Sequence, residues 1–262
     1  MDSEATDSKD AVRVNKFLAT QLGISRRSAD EAIEKGAVRV NGQPATLGAR
    51  FDPERDELRY HDQLVTAKSE LRYVLLNKPV GYVSSRRRQG DSPTIYELLP
   101  PSARTLKPVG RLDRDSSGLL LLTNDGDYAH QMTHPKFHKV KQYEVTLDTP
   151  LQPLHQQMIN DIGVTLEDGV SRLTIEKLAP APHERLARAS GVGDEAPNSF
   201  RSKSGGLALP SYLITMHEGR NRQIRRTFAA LGYTVTRLHR TVFGAYTLDG
   251  VAPGKTKLTT KK

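Results

Sequence analysis

Hydrophobic and polar positions along this chain fall into a few sharp patterns. The sharpest is Leu119-Leu120-Leu121-Leu122, an apolar run opened by Gly118 and closed by Asn124-Asp125-Gly126. A run this short, bounded by glycine and turn residues, predicts a strand buried on both faces. Residues 139–147 alternate instead, with Tyr143, Val145 and Leu147 on one face and Gln142, Glu144 and Thr146 on the other, which predicts a half-buried strand. Near the N-terminus Val14, Phe17, Leu18 and Leu22 have helical spacing and Gly23 ends the helix. Ser25 then caps a second helix carrying Ala29, Ala32 and Ile33, which stops at Gly36. Val38-Arg39-Val40 reads as a strand entering an Asn41-Gly42 hairpin turn.

The same reading places strands at 73–76 and 82–84 around the turn Asn77-Lys78-Pro79-Val80-Gly81. A short helix at 128–132 is stopped by His134-Pro135, and a further helix covers 153–160. Strands follow at 171–178, 211–216, 235–239 and 245–248, the last one expected. A helix opened by the polar segment 218–226 carries Phe228, Ala229 and Leu231 and stops at Gly232. Residues 44–70 are mixed and polar, finishing a small sheet and then linking to the larger unit. Residues 180–206 have no period and read as a flexible insertion.

Charge changes the picture more than composition does. The formal net charge is +9, and residues 215–262 hold ten Lys/Arg against two acids, Glu218 and Asp249. Such one-sided clustering favours a polyanionic partner, and nucleic acid over a membrane surface, since no basic amphipathic helix accompanies it. No apolar run is long enough to span a bilayer. The first ten residues are acidic and lack an apolar core, so they read as a disordered tail and not as a signal or transit peptide. The absence of cysteine rules out disulfides and thiolate metal sites and fits a cytoplasmic setting. His130, His134 and His138 fall four apart, but Pro135 breaks the helix that would align them, so no metal site is expected.

Two basic clusters carry candidate chemistry. Arg26 and Arg27 occupy the first turn of the second helix, where backbone N–H groups also point outward, and Arg13, Lys16 and Arg39 extend this phosphate-binding corner. Arg111-Leu112-Asp113-Arg114-Asp115 feeds directly into the buried leucine strand, which holds it at the edge of the core. Its arginines favour ionised carboxylates.

Gly110-Arg111-Leu112-Asp113, two residues, a hydroxyl residue, one residue, then the segment 118–126 resembles the active-site segment of bacterial ribosomal-RNA pseudouridine synthases that modify single uridines. Ser116 stands where that family more often has Thr, and Thr227 where Met is common. Three further segments match: His134-Pro135-Lys136 with Lys141-x-Tyr143, the run 218–226, and Leu238-x-Arg240. The order of residues across 13–42 resembles the small alpha-L RNA-binding domain first described in a ribosomal small-subunit protein.

The resemblance spans roughly 12–178 and 211–250 and implies an α+β protein. A disordered tail (1–11) precedes an alpha-L RNA-binding domain (12–65). The catalytic domain (70–253) has a mixed, mainly antiparallel sheet flanked by helices, and a basic tail (254–262) follows. It implies Asp113 as the catalytic residue and Arg225 as its ion-pair partner. Arg111 would fill the space vacated by the target base, and Tyr143 and Leu238 would hold that base. The implied reaction breaks the N1–C1′ bond and rejoins uracil through C5, so no cofactor or metal is expected. The expected partner is ribosomal RNA or a subunit precursor, large subunit favoured over small, and the protein is expected to act as a monomer.

A glycosidase would need a second, distant carboxylate, for which Glu218 is the only obvious candidate. A non-catalytic ribosome-binding or assembly protein would explain the charge but not the Asp113, Tyr143 and Arg225 set. If the basic surface faces RNA, affinity falls steeply with salt, by roughly one in the salt exponent per neutralised phosphate. A filter-binding salt titration measures this; a flat response would leave the basic clusters without that role.

Overall fold

The computed structural model describes residues 11–67, 70–178 and 209–262. The expected insertion at 180–206 and nearly all of the expected N-terminal tail lie outside the described residues. The small domain contains β1 (Val12–Arg13), α1 (Val14–Gln21), α2 (Arg26–Glu34), β2 (Val38–Val40), β3 (Gln43–Pro44), β4 (Arg50–Phe51), β5 (Leu58–Tyr60) and β6 (Gln63–Leu64). Ser25 caps α2 as its sequence position requires, its Oγ accepting from Ser28 N–H at 2.9 Å. Asn41 and Gly42 both adopt positive φ, +51° and +80°, the two-residue turn that matches strand twist. Val14, Leu18, Ala29, Ile33, Val38, Phe51 and Leu58 form the core, giving each short helix the tertiary support it lacks alone.

The larger domain contains β7 (Tyr73–Lys78), β8 (Lys107–Pro108), β9 (Ser117–Thr123), α3 (Gly126–Thr133), β10 (Lys141–Leu147), α4 (Pro153–Asp161), β11 (Val164–Leu166), β12 (Gly169–Ser171), β13 (Thr174–Lys177), β14 (Ser211–Met216), α5 (Gln223–Ala230), β15 (Val235–Phe243), β16 (Tyr246–Thr247) and β17 (Thr256–Thr259). Its main sheet runs β13-β14-β10-β15-β9-β7-β17 and is antiparallel except where β9 meets β15.

The leucine run sits at the centre. Leu120 and Leu122 join the core that includes Val145, Ile159, Ile224 and Phe228. Leu119 and Leu121 join a second core with Val109, Tyr128, Met132 and Tyr246. All four leucines are fully buried, each stabilising the fold by about 1.5–3 kcal/mol as an upper estimate.

Where β9 meets β15 the pairing is parallel and two residues long, Ser117 with His239 and Gly118 with Arg240. Gly118 has φ +108°, and a Cβ there would overlap the backbone carbonyl of Arg240. Only glycine allows the two backbones this close. Arg240 Nε donates to Leu119 O at 2.8 Å, and Ser117 Oγ meets His239 Nδ1 at 2.8 Å, so side chains reinforce the short junction.

Several expectations are corrected. Residues 82–84 form no strand; Val83 makes a single bridge to Thr94. The strand at 171–178 is broken, with Ser171 ending β12 and Thr174 opening β13. The polar segment before α5 is not helical: Arg222 takes a left-handed conformation (φ +46°) and the helix starts at Gln223. β15 runs on to Phe243. The 254–262 segment, expected as a tail, contains β17, which pairs along β7. Its Thr-Lys-Leu-Thr sequence hides the strand, because an edge position tolerates polar residues on both sides. Among the described residues no helix is long and apolar enough to cross a membrane.

Leu121→Ala should cost about 2–5 kcal/mol. Gly118→Ala should cost more despite adding one methyl, because it pushes β9 off β15. Urea midpoints of the two variants decide the order.

Candidate active site

The two-residue junction opens a cleft of about 320 Å³ above it. Its walls come from five stretches distant in sequence: 110–116 before β9, Thr133 and Pro135 around the end of α3, the start of β10, residues 216–224 from the end of β14 into α5, and β15. Arg111, Asp113, Tyr143 and Leu238 all line it. Tyr143 and Leu238 are buried on adjacent strands, whereas Arg111 is exposed at the rim. The register of β10 against β15 slips between Gln142 and Tyr143, and such a bulge re-aims side chains beside a site.

Asp113 sits in a turn in which Ser116 N–H donates to Asp113 O at 3.1 Å. Lys78, fully buried at the end of β7, holds that turn from below. Its Nζ donates to the carbonyls of Asp113 (3.0 Å), Ser116 (2.6 Å) and Pro79 (3.0 Å). Burial lowers the Lys78 pKa to about 8, opposed by the charges of Asp113 and Asp115. The Ser116 Oγ is buried in the cleft wall and has no hydrogen-bond partner among the described residues.

The expected ion pair between Arg225 and Asp113 is not observed. Arg225 lies outside the cleft lining; its Nε is 3.2 Å from Asp115 Oδ2, and its Nη atoms donate to Asp115 O and Val235 O. Asp115 is also gripped by Arg222 through two hydrogen bonds, 3.0 and 2.8 Å. The Arg222 contact, opposed by burial and aided by Arg225, holds the Asp115 carboxyl below its usual range. Asp113 faces Arg222 at the longer distance of 3.8 Å. The physical reason is the turn: it presents Asp115 to the arginines of the α5 region and leaves Asp113 to the cleft. Arg222 acquires its reach from its left-handed backbone, which no sequence period signals.

The other wall is a polar lattice. Arg220 donates to Asp168 Oδ1 and to the Gly169 and Val170 carbonyls, tying the β11–β12 hairpin to the loop before α5. Gln223 bonds Glu218 and Ser171, and Thr227 Oγ1 donates to Ser171 Oγ at 2.7 Å. The hydroxyl of Thr227 thus has a buried partner.

On the small domain Arg13, Arg26, Arg27 and Arg39 are exposed. Lys16 is a correction: its Nζ pairs with Asp127 of α3 at 2.6 Å and links the two domains instead of standing free. Lys107 Nζ, donating to Ile24 O at 2.8 Å, makes a second link. Among the described residues no group of His, Asp and Glu is placed to hold a metal ion.

An accessible carboxylate, a buried aromatic face and guanidiniums arranged around one cleft suit attack on, or proton removal from, a sugar bearing a planar base. Residues 72–230 match the family model for RNA pseudouridylate synthase, and residues 12–56 match the S4 domain. The chain belongs to the RNA pseudouridylate synthase family. The ribosomal small subunit pseudouridine synthase A of Haemophilus influenzae is 37% identical to this synthase over 239 residues, 91% of each chain. The protein of that name from Escherichia coli K12 is 35% identical over 246 residues, covering 93% of this chain and 94% of its own. A solved pseudouridylate synthase structure superposes with a TM-score of 0.60 at 32% identity, covering 95% of this chain and 96% of its own.

Sequence reading passed over Lys78 and Arg222 in this synthase. Lys78 lies in a predicted turn, and nothing local to it shows that three carbonyls converge on its ammonium. Because burial lowers its folded pKa to about 8, the unfolded chain binds more protons between about pH 8 and the ordinary lysine value near 10.4. Lys78 alone therefore makes stability rise with pH across that window. Denaturant unfolding from pH 7 to 10 should show a shallower rise in Lys78→Met than in the parent; identical slopes would refute the assignment.

Proposed function

We propose that this synthase converts a uridine of small-subunit ribosomal RNA to pseudouridine, with Asp113 as the catalytic carboxylate acting on a nucleotide swung out of its helix. The observation that carries the reading is the convergence of Asp113, Arg111, Tyr143 and Leu238 on one cleft from three separated segments. Extraction costs a few kcal/mol, roughly, and is offset when the base is stacked again inside the protein. Tyr143 and Leu238 supply that surface, and Arg111 at the rim fills the gap left in the RNA. Arg225 acts at one remove, through Asp115, and Arg222 is the arginine nearest the Asp113 carboxylate.

The substrate follows the relatives named above, both called small-subunit enzymes. The large-subunit preference is given up: the motifs are shared by both branches, and the relatives named above are small-subunit enzymes. The exposed Arg13, Arg26, Arg27 and Arg39 hold RNA phosphates near the target. The isomerisation is redox-neutral and needs no group donor, so the enzyme works without an added cofactor.

Asp113→Asn should keep RNA affinity and lose product by more than about a thousandfold. Pseudouridine is mapped by chemical adduct and primer extension on small-subunit RNA. Product formation at the parent rate would remove Asp113 from the chemistry and leave a ribosome-binding protein.

A further inference from the structure

Lys141 on β10 and Arg240 on β15 both line the cleft and are 9% and 3% exposed. Neither forms an ion pair among the described residues, and Lys141 feels the Glu218 carboxylate only at longer range. Lys141 Nζ donates to the backbone carbonyl of Glu218 at 3.1 Å, a neutral acceptor. The carboxylate of Glu218 is engaged elsewhere, by Gln223 and by Arg220 at 3.4 Å. Arg240 donates through Nε to Leu119 O and lies 4.6 Å over the Phe243 ring. Its Nη2 is buried with no hydrogen-bond partner among the described residues.

The cleft is lined by two acids: Asp113, which faces Arg222 at the other end, and Glu218, whose carboxylate is held by Gln223 and Arg220. Two buried cations whose one neighbouring carboxylate, that of Glu218, is bound by other groups are costly, and a buried donor without an acceptor adds to that cost. Such a pair is stabilised by an anion that arrives from outside. Burial, and after it the charge of Arg240, pulls the Lys141 pKa down, and the charge of Glu218 opposes them.

We infer that Lys141 and Arg240 form a buried oxyanion site that takes a backbone phosphate of the target nucleotide and sets how deeply its sugar enters the cleft. The inference rests on the cleft being where the uridine is isomerised. It deepens that reading by separating three tasks: Asp113 for the sugar, Tyr143 and Leu238 for the base, Lys141 and Arg240 for the phosphate.

The test is calorimetric binding of uridine, uridine 5′-monophosphate and uridine 3′-monophosphate to the full chain at fixed salt. One of the two nucleotides should bind about tenfold more tightly than uridine, and Lys141→Gln should erase that advantage while leaving uridine affinity in place. Arg240→Lys should keep most of the advantage. Arg240 also ties β9 to β15, so Arg240→Gln is informative only if its unfolding midpoint is retained, and Lys141→Gln decides the matter alone. Equal binding of nucleoside and nucleotides by the parent protein overturns the site, as does no nucleotide binding. A folded Lys141→Gln that keeps the advantage, or that weakens uridine equally, also overturns it. The catalytic reading fails separately: Asp113→Asn that still makes pseudouridine sinks that reading even where the phosphate advantage is intact. A parent protein that makes pseudouridine but shows no phosphate advantage sinks the oxyanion site alone.

Discussion

Two residues of parallel pairing, Ser117 with His239 and Gly118 with Arg240, hold the halves of the sheet together. On one side β9, β7 and β17 run antiparallel; on the other β15, β10, β14 and β13 do the same. A contact this short needs close backbone approach, and Gly118 permits it where any side chain would strike the Arg240 carbonyl. The turn carrying Asp113 is covalently continuous with β9, while Tyr143 and Leu238 belong to the other half. Closing the junction therefore closes the cleft, and strength in the sheet becomes precision in the site.

Electrostatics then divides labour within five residues of chain. Asp113 and Asp115 are two positions apart, yet one faces the cleft and the other is bound by Arg222 and Arg225. With Lys78 gathering the carbonyls of the turn from beneath, Asp113 has little freedom to collapse onto the arginines. A carboxylate paired at 2.8 Å would be a structural group; one at 3.8 Å from its nearest guanidinium keeps its oxygens available to a substrate. Asp115 thus serves as an anchor for the α5 region, and the arginines still lend their charge to the site.

The domain link has a similar economy. Lys16 and Lys107 each bridge the small and large domains, one through Asp127 and the other through a backbone carbonyl. Part of the positive charge that composition suggested for RNA is used in seating one domain on the other. Arg86, first of the run Arg86-Arg87-Arg88, likewise donates to the Thr105 and Leu106 carbonyls and covers the Tyr96 ring. The exposed arginines of the small domain are the ones proposed to hold RNA phosphates.

Local signals determined much of this protein. Glycine stops, the Ser25 cap, the Asn41-Gly42 turn, the alternation through Tyr143 and the leucine run each act over a few residues, so they were legible from one chain without its fold. So was the motif placing Asp113 at the edge of the core. Tertiary structure alone decided which carboxylate the arginines take, because that depends on a left-handed residue at 222 and on a turn held by a lysine more than thirty positions upstream. It also decided that β17 completes an edge, that Lys16 is bound to Asp127, and that Lys141 and Arg240 share a buried cleft wall with no ion pair to either among the described residues. Each of these is a distance between residues far apart in sequence, set by burial and by the two-residue junction, and hydrophobic periodicity carries no information about such distances.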